Sequence, residues 1–252
     1  MATGLAVPTI SAEQAEQYRT KGYFVLESVI PQAHIDMLRE ECAKAIALIH
    51  EKMYAAGTDT MGINHRDSRY FIPMFKSSDR VREFLFSELM ADICRVTLGT
   101  TADLFLDQYV VKAAERGMKF SWHQDSGYIP YNHTPYLTTW STLDDVTEEN
   151  GTVYVLPYER AGTRNRVDHV MEPGTNDMVG YFGDDPGEPV IAPEGSIAVF
   201  SSTCFHRSGP NTTDHMRRIY LAQYSDGNLM SQDGTKAIGY AAPFLRDGKR
   251  VA

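Results

Sequence analysis

The sequence of 252 residues contains little cysteine and no long apolar segment. Its three cysteines, Cys42, Cys94 and Cys204, are widely spaced and include no Cys-x-x-Cys pair, which suits a reducing compartment better than a disulfide framework. No apolar run approaches the length that crosses a bilayer. Residues 1–10 lack the basic start and apolar core of a secretion signal. These absences predict a soluble cytoplasmic protein.

Positive charge is also in deficit. The chain has 24 Lys and Arg against 33 Asp and Glu, a formal net charge of −9, which argues against a general binder of nucleic acid or of anionic membranes. An anionic small molecule is still a possible partner, because a local arginine cluster can bind one. With 42% hydrophobic residues, the composition is ordinary for a globular protein with one sizeable core.

The first hundred residues show mainly helical signals. Ser11 and Gln14 form a possible capping box for a helix that ends near Lys21. A short β-prone run follows at residues 23–26. Pro31 suits the start of a second helix, in which apolar residues recur at helical spacing. This part of the chain is therefore expected to be mostly α-helical.

A further helix is predicted from about residue 77 to just before Gly99, because apolar residues recur there at helical spacing. Before it, residues 64–70 are unusually polar. We interpret that segment as a solvated loop between helices. The alternative is a substrate-facing loop that supplies Arg66 or Arg69 to an anionic group.

After Gly99 the pattern changes to short β-branched and aromatic runs. Asn150-Gly151 predicts a tight turn between two of them, and residues 157–189 are rich in turn formers and are interpreted as a long loop, such as a lid. Many short strands at this spacing indicate an antiparallel sandwich or barrel. The predicted strands are residues 104–111, 136–143, 152–156, 196–201 and 218–224.

Two short motifs carry the chemistry. The first is His123-Gln124-Asp125, and the second is His206-Arg207-Ser208, which is followed by Arg217. In an extended strand, residues i and i+2 point to the same face, so His123 and Asp125 can hold one ion together. With a second imidazole from another strand, they supply the donor set of a non-haem Fe(II) site with open positions.

These motifs, together with Glu149-Asn150-Gly151-Thr152, resemble the phytanoyl-CoA dioxygenase family of Fe(II)- and 2-oxoglutarate-dependent oxygenases. The resemblance covers nearly the whole chain. It implies a mostly β fold with flanking α-helices around a double-stranded β-helix, a cupin-like jelly roll. We expect one domain over residues 1–252, with a mainly helical part at 1–99 packing on the barrel, the jelly-roll core at 100–230 and a C-terminal tail at 231–252.

The resemblance also implies a role for each matching residue. It makes His123, Asp125 and His206 the iron ligands and Arg217 the clamp for the distal carboxylate of 2-oxoglutarate, which suits a planar guanidinium. Further pocket positions are assigned more loosely. Those expected around the co-substrate are Ser208, Lys112, Phe120 and Trp140, and those expected near the prime substrate are Gln108, Tyr128, Tyr136 and Arg66.

The implied reaction consumes 2-oxoglutarate and O2, releases succinate and CO2, and oxidises an unactivated C–H bond of a small molecule. Relatives that halogenate lack the carboxylate ligand, so Asp125 argues against halogenation. Hydroxylation is the expected outcome, while desaturation, epoxidation and ring formation stay open. The sequence does not identify the substrate or the oligomeric state.

Two other functions are compatible with the same barrel. One is a cupin-like metal-dependent isomerase or hydrolase that does not use 2-oxoglutarate, and the other is a non-catalytic sensor. The intact ligand set disfavours the sensor, and the isomerase or hydrolase gives Arg217 no partner. The remaining histidines are treated as surface or core residues: His34, His50, His65, His133, His169 and His215.

Overall fold

The computed structural model describes residues 10–114, 118–173 and 177–251. Residues 1–9, which make up most of the segment expected to lack a secretion signal, lie outside the described ranges. Among the helices described, none is long and apolar enough to cross a membrane.

Helices cluster at the start of the chain, as predicted. The capping box at Ser11 and Gln14 is formed, and Pro31 directly precedes the second helix. In the second helix, Ile35, Leu38 and Cys42 are buried at helical spacing. The helices are α1 (Ala12–Lys21), α2 (Gln32–Ala55), α3 (Asp79–Leu85), α4 (Glu88–Thr97) and α5 (Tyr158–Ala161).

The single helix predicted between residue 77 and Gly99 is wrong, because the segment forms two helices, α3 and α4. The break lies at Phe86 and Ser87, where the Ser87 hydroxyl accepts a hydrogen bond from the Met90 N–H (3.4 Å). A serine at this position caps a new helix instead of continuing the old one. Val96, one of the apolar residues of this segment, is 40% exposed in α4.

The strands of the described residues all pair in antiparallel fashion, in two main sheets and one small ribbon. The larger sheet has the order β1-β12-β7-β14-β5-β4-β3-β2, with β15 beside β5 and β16 beside β15. The smaller sheet has the order β11-β8-β13-β6, and β9 pairs with β10. The strands are β1 (Tyr23–Leu26), β2 (Thr60–Met61), β3 (Asn64–His65), β4 (Arg69–Ile72), β5 (Ala102–Lys112), β6 (Phe120–His123), β7 (Leu137–Thr142), β8 (Val153–Leu156), β9 (Val170–Met171), β10 (Met178–Val179), β11 (Glu188–Pro189), β12 (Ile197–Ser201), β13 (Phe205–Ser208), β14 (Arg217–Ser225), β15 (Ala242–Arg246) and β16 (Lys249–Arg250).

This arrangement is the predicted jelly roll with flanking helices, and the five predicted strands are found within two residues of their expected ends. One apolar cluster packs the helices against the outer face of the larger sheet, and a second includes residues of both sheets. Cys42, Cys94 and Cys204 are free and buried. Packed apolar side chains therefore support both sheets that enclose the interior of the barrel.

The Asn150-Gly151 turn does not join two paired strands. It leads from β7 in the larger sheet to β8 in the smaller one. Gly151 has a φ of +78°, and a Cβ there would lie 2.6 Å from the Gly209 carbonyl oxygen. Only glycine fits this close approach, which brings the Gly151 carbonyl towards the interior of the barrel.

The interpretation of residues 64–70 as a solvated loop is wrong. They form β3 and the start of β4, and β4 extends the larger sheet by pairing with β5. Tyr70 and Ile72 are buried, whereas Arg69 and Phe71 are only partly buried on the opposite face. The sequence does not show a clear alternation of apolar and polar residues, because the residues that face the interior of the barrel include Arg69.

The two segments that were expected to be a long loop and a C-terminal tail both contain regular secondary structure. Residues 157–189 hold α5, β9, β10 and β11, and residues 231–252, expected as a tail, contribute β15 and β16. Phe244 and Leu245 of β15 are fully buried. The last part of the described chain thus belongs to the core of the larger sheet.

Candidate metal centre and anion pocket

Three side chains that could bind a metal converge between the two sheets. His123 ends β6 and lies directly opposite His206 of β13 in the strand register. Gln124 keeps an extended backbone (φ −105°, ψ 141°), so Asp125 projects to the same side as His123 although a single 3₁₀ turn begins there. The ligand atoms of the three residues all lie within 4.8 Å of one another. The structure thus brings together the three predicted ligands.

Both imidazoles are oriented by backbone carbonyls. His123 Nδ1 lies 2.8 Å from the Ser121 oxygen, and His206 Nδ1 lies 3.1 Å from the Cys204 oxygen. A carbonyl only accepts, so each Nδ1 carries the proton and each Nε2 presents a lone pair. Burial, with the neighbouring His206, lowers the pKa of His123 to about 3. The His123 imidazole is therefore neutral and available to a metal at physiological pH.

The carboxylate of Asp125 is oriented in the same way. Its Oδ2 accepts hydrogen bonds from the Thr138 hydroxyl (2.6 Å) and from Gln223 Nε2 (3.0 Å). Its Oδ1 faces His206 Nε2 at 3.5 Å. One oxygen is thus anchored to the larger sheet, and the other is directed at the two imidazoles. Thr138 and Gln223 belong to no motif in the sequence and were not expected at the site.

Behind this centre lie two buried cations. Lys112 of β5 and Arg217 of β14 are directly opposite in register. Lys112 Nζ donates to the Ser208 hydroxyl (2.8 Å) and to the Gly209 carbonyl, while Arg217 donates to the Gly151 carbonyl (3.1 Å). The Nε of Arg217 is buried and has no hydrogen-bond partner among the described residues. Over residues 10–114, 118–173 and 177–251, neither cation forms an ion pair with a carboxylate.

Burial of two like charges is unfavourable without an anion. Burial lowers the pKa of Arg217 to about 9, and burial together with the Arg217 charge lowers the pKa of Lys112 well below its usual range. Aromatic faces support both groups, since Arg217 Cζ lies 5.5 Å from the Trp140 ring centre and Lys112 Nζ lies 5.4 Å from that of Phe120. The pocket is suited to a carboxylate. With the His, Asp and His donors, these residues fit ferrous iron and 2-oxoglutarate.

The three candidate ligands and Arg217 line one cavity of about 480 Å³, and Lys112 lies directly behind its lining. Gln108, Tyr128 and Tyr136, expected near the prime substrate, all line it, and the Tyr128 ring centre lies 5.6 Å from that of His123. Arg66 does not. It pairs with Asp59 and lies 4.4 Å over the Tyr54 ring. The expectation for Arg66 is therefore corrected to Arg69, whose side chain lines the cavity.

Solved structures with the same fold are found. One is the non-haem α-ketoglutarate-dependent carbocyclase SnoK from nogalamycin biosynthesis, with a TM-score of 0.70 and 19% identity over 90% of this chain and 88% of that chain. Another is EvdO2 from Micromonospora carbonacea var. aurantiaca complexed with 2-oxoglutarate, with a TM-score of 0.66 and 23% identity over 87% of this chain and 92% of that chain. Fold and site together define a non-haem iron, 2-oxoglutarate-dependent oxygenase.

Sequence comparison identifies the family. The model of the phytanoyl-CoA dioxygenase (PhyH) family matches residues 18–219, and the chain belongs to that family. A similar relative is the probable alpha-ketoglutarate-dependent hypophosphite dioxygenase of Stutzerimonas stutzeri, 24% identical over 242 residues, 85% of this chain and 78% of the relative. The resemblance stated from the motifs is thereby confirmed.

Proposed function

We propose that the protein is an Fe(II)- and 2-oxoglutarate-dependent dioxygenase that hydroxylates a C–H bond of a small molecule and releases succinate and CO2. One observation carries this proposal. Three ligand side chains converge within 4.8 Å beside a buried pair of cations that lacks a carboxylate partner in the described chain. Family membership favours this activity over a cupin-like isomerase or hydrolase.

His123 and His206 would hold iron through Nε2, and Asp125 would hold it through Oδ1. Three protein ligands leave coordination positions for a co-substrate and O2. Bound iron, together with the co-substrate and O2, would supply the oxidising chemistry that the reaction at a C–H bond needs. Since Asp125 fills the position that chloride would need, the site is suited to hydroxylation and not to halogenation.

Arg217 and Lys112 would hold the distal carboxylate of 2-oxoglutarate. The free Arg217 Nε supplies a donor with no other partner in the described structure. Ser208, which already accepts from Lys112, could donate its own proton to the same carboxylate. Phe120 and Trp140 close the pocket against water, which strengthens these charge-assisted hydrogen bonds.

The prime substrate would occupy the part of the cavity nearer Tyr128. Apolar side chains such as Phe71, Phe105 and Leu106 line it, and Gln108 and Arg69 supply polar contacts. We therefore propose an organic molecule of moderate size with one polar or anionic group. Hypophosphite, named for the relative in Stutzerimonas stutzeri, is much smaller than this cavity and serves as a contrasting candidate.

The cellular location and the domain division are proposed as well. Three unpaired cysteines suit the cytoplasm. Because the second apolar cluster joins both sheets, and β4 and β15 of the flanking segments pair with β5, we propose that residues 1–252 form one domain.

The test is spectroscopic. Under anaerobic conditions, Fe(II) plus 2-oxoglutarate should give a weak visible charge-transfer band that Fe(II) alone or Zn(II) plus 2-oxoglutarate does not give. A panel of organic acids, acyl-CoAs and hypophosphite is then screened for substrate-dependent succinate release in air. No band, combined with no succinate under any condition, would refute the proposal.

A further inference from the structure

His169 is hydrogen-bonded to the backbone between two candidate ligands. It lies in the strap, our name for residues 157–189, and its Nε2 is 2.9 Å from the Gln124 backbone nitrogen. Its Nδ1 is 2.9 Å from the Val167 carbonyl oxygen. The N–H must donate and the carbonyl must accept, so His169 is neutral with its proton on Nδ1. This histidine was expected to be an ordinary surface or core residue.

The Gln124 side chain is bound to the same part of the strap. Its Nε2 donates to the carbonyl oxygens of Asn165 (2.9 Å) and Thr203 (2.7 Å), and its Oε1 accepts from the Val167 N–H (2.9 Å). Alternate strap residues 165, 167 and 169 therefore all contact Gln124. Thr203 precedes the strand that carries His206, so one glutamine connects the strap to both ligand-bearing segments.

The His169 ring fits a slot that two glycines leave open. A Cβ added at Gly127 or at Gly180 would overlap the imidazole. The Phe205 ring stacks beside it, with ring centres 6.2 Å apart and planes at 28°. Gly180 also donates its N–H to the Trp122 carbonyl (2.9 Å), which ties a second point of the strap to β6. Such a slot holds the ring in one orientation.

From these contacts we propose that His169 is a positioning residue of the metal centre. It fixes the peptide between His123 and Gln124, and so the directions in which His123 and Asp125 project. It is not itself a ligand. This inference rests on the proposed function, since it assumes that a metal binds His123, Asp125 and His206. It also couples the strap to the metal centre, because both share the Gln124 contacts.

The test measures Mn(II) binding to the full chain by electron paramagnetic resonance. His169→Phe keeps a planar ring but removes the acceptor, and should raise the Kd for Mn(II) by about 10-fold, the lower end of the range for groups that orient metal ligands, because His169 acts through the Gln124 backbone. His169→Gln restores an acceptor near the position of Nε2 and should bind Mn(II) nearly as tightly as the unmodified chain. His65→Phe, at an exposed position, is the matched control.

A second variant perturbs the ring without replacing it. Gly180→Ala places a methyl group against His169 and should also weaken Mn(II) binding, and it decides the question if His169→Phe does not fold. Circular dichroism establishes which variants fold. A Kd within twofold of the unmodified chain for the folded variants, or a Gln variant as weak as the Phe variant, overturns the positioning role. Failure of the proposed function is distinct, because the unmodified chain would then give no charge-transfer band.

Discussion

At the scale of single residues, the most informative feature is a row of positive charge. Arg217, Lys112 and Arg69 lie directly opposite one another on three neighbouring strands, β14, β5 and β4. The first two are buried, and the third lines the cavity. Such a row is unfavourable by itself and becomes favourable when anions bind it. The co-substrate carboxylate would satisfy the inner pair, whereas Arg69 shares the cavity with the carboxyl group of Asp177 and interacts with it electrostatically.

Replacing Arg217 with alanine should weaken 2-oxoglutarate binding strongly. Truncating one partner of a buried, hydrogen-bonded charge pair costs about 2–5 kcal/mol, so the Kd should rise by about 30-fold or more. The measurement is an anaerobic titration of the charge-transfer band.

The adjacent Arg218 provides the matched control. It points away from the cavity and pairs with Asp144 (2.5 Å), so Arg218→Ala should leave the Kd for 2-oxoglutarate unchanged. A metal isomerase or hydrolase on this barrel would instead lose little activity in either variant, because it does not need the co-substrate.

Single residues also show which parts of the site can be predicted from the sequence and which cannot. His123, Asp125 and His206 carry their signal in residue type and spacing. Thr138 and Gln223 do not, because each is an ordinary strand residue until Asp125, 13 and 98 positions away, is brought beside it. His169 reaches Gln124 across 45 positions in the same way. Supporting residues of this kind are defined by tertiary contacts alone.

At the scale of secondary-structure elements, the residue that caps the N-terminus of α3 also forms a hydrogen bond with α2. The Ser78 hydroxyl accepts from the Val81 N–H (3.3 Å) and donates to Glu41 of α2 (2.7 Å). That hydrogen bond is the largest cause of the lowered pKa of Glu41, and Lys44 and Arg80 add to the shift. The ionised Glu41 therefore stabilises the packing of α2 on α3.

Ser78→Ala should reduce the free energy of unfolding by about 1–2 kcal/mol at pH 7, since it removes a helix cap. Glu41 has a lowered pKa in the folded state, so its contribution is present above the ordinary glutamate pKa of about 4.3 and is lost as the pH falls through the lowered value. The difference between the variant and the unmodified chain should shrink below about pH 4.

Urea unfolding at pH 7 and near pH 3.5 checks this prediction. Ser77→Ala is the control, because the Ser77 hydroxyl donates to Met74 and, within the described residues, forms no hydrogen bond with Glu41. A loss of stability in Ser78→Ala that is the same at both pH values would contradict the assigned role of Glu41.

Elements with a clear hydrophobic period were predicted well, and those without one were not. The bounds of α1 match the capping signals, and the central strands match their β-branched runs. The break between α3 and α4 was missed because apolar residues continue through Phe86, so that the period alone gives no stop. The strand β4 was not predicted, because the face that it turns to the cavity carries Arg69. In a sequence, an arginine at this position is typical of a surface residue.

At the scale of the whole molecule, the two sheets contribute different parts of the site. His123 and His206 come from the smaller sheet, and the cations Lys112 and Arg217 come from the larger one. A metal with bound 2-oxoglutarate would therefore bridge the sheets. A ligand that binds only the folded state raises its stability by mass action.

Mn(II) together with 2-oxoglutarate should raise the Tm by about 5–10 °C at a hundredfold excess over the Kd. This follows from about 2.7 kcal/mol of linkage and about 2–4 °C per kcal/mol for a chain of this size. Scanning calorimetry with Mn(II) alone, and with Arg217→Ala, separates the share of each ligand. If 2-oxoglutarate adds nothing to the effect of Mn(II), the two sheets are not bridged by the co-substrate.

Alkylation of the three free cysteines can report where the folded chain opens. Burial raises the pKa of Cys42 to about 12 and raises those of Cys94 and Cys204 as well. Alkylating reagents attack the thiolate, so the folded chain should be almost inert to them. The thiols lie in α2, in α4 and just before β13. The order in which they become labelled would therefore show whether the helical layer or the barrel loosens first.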